Sequence, residues 1–167
     1  MKEIKLTIDG KEVKLTDEQL RALRIGIEEK RKNPFERVSA SKMYYFIDAV
    51  DEIGFMPDNR DRSDNKSIAC ANYFNDKNFA EQVALHQQLY RKLLKFAYDN
   101  EYEDNQAWNK TNWHYYIAYN TDEGRFYADA TGTFKHHDVW FCSKKSAVCA
   151  IKEVVEPFMK EHPDFVW

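Results

Sequence analysis

Glycine and proline are scarce, with 5 and 4 in 167 residues, and there are only 3 cysteines. Beside 11 Phe, 10 Tyr and 4 Trp, that scarcity excludes a collagen-like, low-complexity or largely disordered chain. No apolar run exceeds a few residues, so no segment reads as a membrane span. The opening Met1-Lys2-Glu3-Ile4-Lys5 lacks the apolar stretch of a signal peptide, which predicts a cytoplasmic location. Cys70, Cys142 and Cys149 contain no CxxC pair, which predicts free, mostly buried thiols in a reducing compartment. A positive excess is also missing. Lys and Arg number 25 against 28 Asp and Glu, for a net charge of −3, whereas a nucleic-acid binder usually carries a basic surplus.

The charge that is present is unevenly placed. Residues 1–42 carry 11 basic and 8 acidic groups, and residues 43–76 carry 3 and 7. The basic excess peaks at Lys30-Arg31-Lys32. That triplet reads as a solvated helix end whose cations complement the helix dipole, or as a contact for nucleic acid.

Periodicity predicts an α+β fold of antiparallel sheets with helices packed on one face. Ile4, Leu6 and Ile8 alternate with polar residues, as do Val13 and Leu15, around Asp9-Gly10, which reads as a β-hairpin. Thr16 and Gln19 match a capping box opening a helix over about 17–32, and Asn33-Pro34 stops it. Strands are expected at 43–50, from Phe55, and at 68–74, with a polar loop over 57–67. A long helix is expected over about 77–98. A loop at 99–112 leads to strands at 113–119, 125–129 and 139–141 and a last helix over about 144–161.

The second half echoes the first. Tyr73-Phe74-Asn75-Asp76-Lys77 matches Trp140-Phe141-Cys142-Ser143-Lys144, and Ala80 matches Ala147, at a constant offset of 67 residues. The chain therefore divides into an N-terminal hairpin plus helix (1–40) and two strand-strand-strand-helix units (41–100 and 101–167).

Nucleotide-binding glycine loops, GxSxG, HExxH and EF-hand patterns are all missing. His136-His137-Asp138 carries metal-ligand residue types, but adjacent strand residues point to opposite faces. The expectation is no metal, no cofactor and no enzymatic activity. Tyr44, Tyr45, Tyr115, Tyr116 and Tyr119 would suit a base-stacking platform, yet no Lys or Arg is interleaved with them.

The opening run over 4–20, the junction Asn33-Pro34-Phe35-Glu36-Arg37, Tyr115-Tyr116-Ile117 and Phe141-x-Ser143-Lys144-x-x-Ala147 together resemble a group of small accessory proteins of phages and prophages of Firmicutes. The resemblance covers most of the chain and brings no catalytic residues. It implies an inhibitor of a bacterial defence effector, in its most specific form an anti-CRISPR protein acting on a Cas nuclease with its guide RNA. On this reading the partner surface combines Asp58, Arg60, Arg62 and Asp64 with Trp108, Trp113 and Trp167, since arginine and aromatics dominate interface energetics. The alternative is a single-stranded nucleic-acid-binding protein using Lys30, Arg31 and Lys32. The oligomeric state stays open between a monomer and a homodimer.

Overall fold

Short runs rich in aromatic and β-branched residues pair as antiparallel hairpins along the chain. The protein is described by a computed structural model covering residues 33–136 and 138–167, with the backbone of two strands upstream. Those two, β1 (Leu6–Ile8) and β2 (Lys11–Val13), pair antiparallel with Leu6 opposite Val13. The turn at Asp9-Gly10, the helix expected over 17–32 and Lys30-Arg31-Lys32 lie outside the described residues.

The first long hairpin joins β3 (Met43–Ile47) to β4 (Ile53–Pro57), with Tyr45 opposite Phe55. Helices α1 (Arg62–Ala69) and α2 (Lys77–Asp99) follow. The second hairpin joins β5 (His114–Asn120) to β6 (Arg125–Thr131). The chain then runs through α3 (Lys144–Ala150), a π-turn (Ile151–Val155) and α4 (Glu156–Glu161). The result is an α+β fold of small antiparallel sheets packed against helices. Pro157, near the start of α4, has no N–H to donate, and the widened π-turn lies directly before it. Among the described residues no helix is long and apolar enough to cross a membrane.

Helix α1 replaces the second half of the loop expected at 57–67 and the first two residues of the strand expected at 68–74. Asp61 caps it, accepting from the Ser63 and Asp64 N–H groups, while the Asp64 carboxylate accepts from the Asp61 N–H. This is a capping box with aspartate in place of the usual Glu or Gln. The helix ends where the Asn72 N–H donates to the Ser67 carbonyl at 2.8 Å across Ala71, whose φ is 55°. Of the expected third strand, Phe74 alone pairs, through a bridge to Tyr45.

The β3–β4 hairpin is covered on both faces. Tyr45 and Ile47 point toward α2, packing with Phe74, Ala80 and Ala84. Tyr44, on the opposite face, donates its hydroxyl to Asp64 of α1 at 3.1 Å. Helix α2 is about 35 Å long at 1.5 Å per residue, long enough to serve two cores. Its first half packs on the β3–β4 hairpin. Its second half contributes Leu89, Leu93 and Ala97 to a larger core with Ile117, Phe141, Ala147, Ile151, Val155 and Phe158.

Several positions separated by 67 residues carry the same local role. Phe74 bridges Tyr45, and Phe141 bridges Tyr115. Asp76 and Ser143 cap the helices that follow. Ala80 and Ala147 are both completely buried. The units differ at the outer face of the second hairpin, where a pair of loops stands in place of a helix.

Candidate partner-binding surface

The residues expected to form one binding surface are distributed over several environments. Asp58 and Asp64 are 0% and 1% exposed, although residues 59–63 between them are exposed, so the two carboxylates turn inward from the stretch that carries them. Arg37 grips Asp58 with two parallel hydrogen bonds, from Nε at 2.7 Å and from a terminal nitrogen at 2.8 Å. The Tyr73 hydroxyl donates to the same carboxylate at 2.9 Å, as does the Arg60 N–H at 2.9 Å. The Arg37 guanidinium beside Asp58 holds its carboxyl well below the usual carboxylate range, against the opposing effect of burial. A carboxylate so enclosed stabilises the fold and is closed to a partner. Arg60 is drawn into the same structure, donating to the Val38 carbonyl at 2.9 Å. Arg62, the first residue of α1, is exposed.

The tryptophans also separate. Trp108 is half-buried, contrary to its expected exposure. Its ring stacks on His114 at 3.8 Å with planes 4° apart, and edges onto Trp140 at 4.8 Å. His136 stacks on Trp140 at 4.7 Å and meets Tyr116 edge-on. Lys135 lies over the Trp108 ring at 5.3 Å. These groups cover the outer face of the second hairpin, where His114 and Tyr116 project. Trp167 packs against Phe126 at 4.7 Å on the opposite face. Gln82 sets that position by holding the C-terminal tail, donating to the Asp164 carbonyl and accepting from the Val166 N–H, both at 3.0 Å.

The histidine cluster is therefore an aromatic packing arrangement around Trp140. His137 lies outside the described residues, and Asp138 accepts the Val139 N–H at 2.8 Å. Among the described residues no group of three or more His, Cys, Asp or Glu side chains is placed to hold a metal ion. The cysteines depart from expectation, since Cys70 and Cys142 are exposed and only Cys149 is partly covered. Cys142 sits just before the N-cap of α3, with its thiol donating to the Asn100 carbonyl at 3.2 Å.

Trp113 is the one expected aromatic that is mostly exposed, at 57%. Phe134, which the sequence reading passed over, is 77% exposed. Both stand at one end of the second hairpin. Residue 113 directly precedes the His114–Thr131 pair, and the loop after Thr131 packs on the 109–112 backbone. Gly132 permits that approach, because a Cβ there would lie 2.5 Å from the Asn109 carbonyl oxygen and 3.0 Å from that of Asn112. The one sequence signal for Phe134 was a large aromatic inside a polar stretch without period. The loop over 99–113 that leads to Trp113 carries 4 acidic side chains and 1 basic, and Lys135 follows Phe134. Glu101 and Glu103 are exposed beside Trp113.

Comparison with family models, with curated proteins and with solved structures finds no match to this chain.

Proposed function

We propose that this chain is a non-enzymatic protein-binding module that occupies a basic surface of a bacterial defence effector inside the host cytoplasm. Its most specific form is an anti-CRISPR protein acting on a Cas nuclease loaded with guide RNA. The observation that carries the reading is the position of two exposed aromatics, Trp113 and Phe134, at one end of the second hairpin, with the acidic loop residues Glu101 and Glu103 beside Trp113. Aromatic side chains contribute most of the affinity at protein interfaces, and a charge of one sign selects a partner of the other. A nucleic-acid-binding groove on a protein is such a partner. The same acidity weighs against direct binding of single-stranded nucleic acid, whose phosphates it would repel.

The test is cleavage of target DNA by guide-loaded Cas nucleases, with and without the purified protein. Inhibition that is lost in the Trp113→Ala/Phe134→Ala variant, at an unchanged melting temperature, supports the reading. Unimpaired cleavage by every Cas nuclease of the native host range removes the anti-CRISPR form. Salt-sensitive retention on single-stranded DNA favours the nucleic-acid alternative.

A further inference from the structure

The outer edge of β6 is left unpaired among the described residues. Phe141 donates its N–H to the Tyr115 carbonyl at 2.9 Å, so Tyr115 turns its backbone groups away from β6. Tyr115 stands opposite Ala130, which makes that a pair without mutual hydrogen bonds. By alternation, Phe126, Ala128 and Ala130 direct their N–H and C=O groups outward, away from β5. Among the described residues no backbone partner takes the outward groups of Phe126 and Ala128. The Ala130 N–H is already taken, donating to the Asp129 carboxylate at 2.8 Å.

The other long hairpin shows how this fold closes such an edge. Tyr45 exchanges hydrogen bonds with Phe74, at 2.8 and 2.9 Å, so the outward residues of β4 are Ile53, Phe55 and Pro57. Proline has no N–H, which blunts β4 for strand addition. Strand β6 contains no proline, lysine or bulge.

We propose that two chains join β6 to β6 antiparallel about a two-fold axis at Tyr127, forming the sheet β5-β6-β6-β5. In this register Phe126 of each copy exchanges hydrogen bonds with Ala128 of the other. Tyr127, 40% exposed, meets its own counterpart. Arg125 stands opposite Asp129 on the same face, twice over by symmetry. The register is selected by charge and by capping. Shifting the axis to Ala128 would require the Ala130 N–H that Asp129 already holds, and would forfeit both ion pairs. Shifting it to Phe126 would place Asp129 against Glu123, a like-charge pair that is destabilising.

Sedimentation equilibrium over a wide concentration range tests this. A dimer is expected for the native chain. Ala128→Pro removes an outward N–H without touching the β5–β6 ladder, and a largely monomeric species is expected. Arg125→Glu and Asp129→Arg each place like charges opposite one another and should weaken self-association by about ten-fold or more. Mixing these two variants restores opposite charges at both positions, and a heterodimer is expected. That rescue also shows that both variants fold. A native chain that is monomeric throughout overturns the proposal, as does a dimer indifferent to Ala128→Pro or a mixture that fails to associate.

Discussion

The rings of Tyr44 and Tyr73 stack at 4.1 Å with planes 18° apart, and each donates its hydroxyl to a different buried carboxylate. Tyr44 reaches Asp64 and Tyr73 reaches Asp58, so one aromatic pair ties α1 and the segment that follows it to the first hairpin. Tyr73→Phe keeps the stack and removes a donor to an ionised acceptor. Chemical denaturation should show a loss of about 1–3 kcal/mol, with the linear denaturant slope unchanged.

The Arg37–Asp58 pair predicts acid sensitivity with a definite sign. The Asp58 carboxyl is held below its unfolded value of about 3.9, so its stabilisation is complete above that pH. It is lost as pH falls below about 4 toward the depressed native value, because the unfolded chain then binds the proton more readily. Asp58→Asn should melt several degrees lower than the native chain at neutral pH. The gap should narrow as pH falls below about 4. Melting curves of both proteins across that range check this, and a gap independent of pH would contradict it.

Two helices end on a residue that glycine would suit better. The Tyr102 N–H donates to the Ala97 carbonyl at 3.0 Å across Glu101, whose φ is 65°, repeating the arrangement at Ala71. This C-terminal motif normally places glycine in the left-handed position. Ala71→Gly and Glu101→Gly should each raise stability, by up to about 1 kcal/mol, since a Cβ is unfavourable in that conformation. Thermal denaturation of the single variants is sufficient to test it.

Gly132→Ala should act on both fold and binding. A methyl group there meets backbone oxygens of the 109–112 loop, which cannot rotate away as a side chain would. An overpacking cost of about 1–3 kcal/mol is expected, with displacement of Trp113. Tryptophan fluorescence and partner binding should change together. If Trp113 is part of the surface, Gly132→Ala weakens binding more than Arg62→Ala does.

The two arginines first grouped as binding residues should separate in mutagenesis. Arg60→Ala removes the bond to the Val38 carbonyl and a charge 3.8 Å from Asp58, so the melting temperature should fall. Arg62→Ala, on an exposed first turn, should leave it nearly unchanged. Circular dichroism melts of the two variants distinguish them directly.

Much of the fold was legible because its signals are local. The aromatic and β-branched runs of β3 and β5, the side-chain caps Asp76 and Ser143, and the buried stripe Ala147, Ala150, Ile151 and Phe158 need only neighbours within a few residues. Helix α1 escaped because its sequence, Arg-Ser-Asp-Asn-Lys-Ser-Ile-Ala, has no apolar stripe. It is held by a short-range aspartate cap and by the long-range bond from Tyr44 to Asp64, which periodicity cannot register.

The sequence by itself determined where β3, β5, α2 and α3 begin, because side-chain caps and runs of aromatic and β-branched residues act within one or two turns. Tertiary structure alone decided which polar groups are inside. Asp58 reads as a loop carboxylate until Arg37, 21 residues earlier, and Tyr73, 15 residues later, close on it. Burying a charge costs more than any local preference can offset, so its place depends on partners that only the folded chain assembles. The same holds for the tryptophans. Trp108 is covered by His114 and Trp140, while Trp113, five residues on, is left exposed, and no local pattern separates the two.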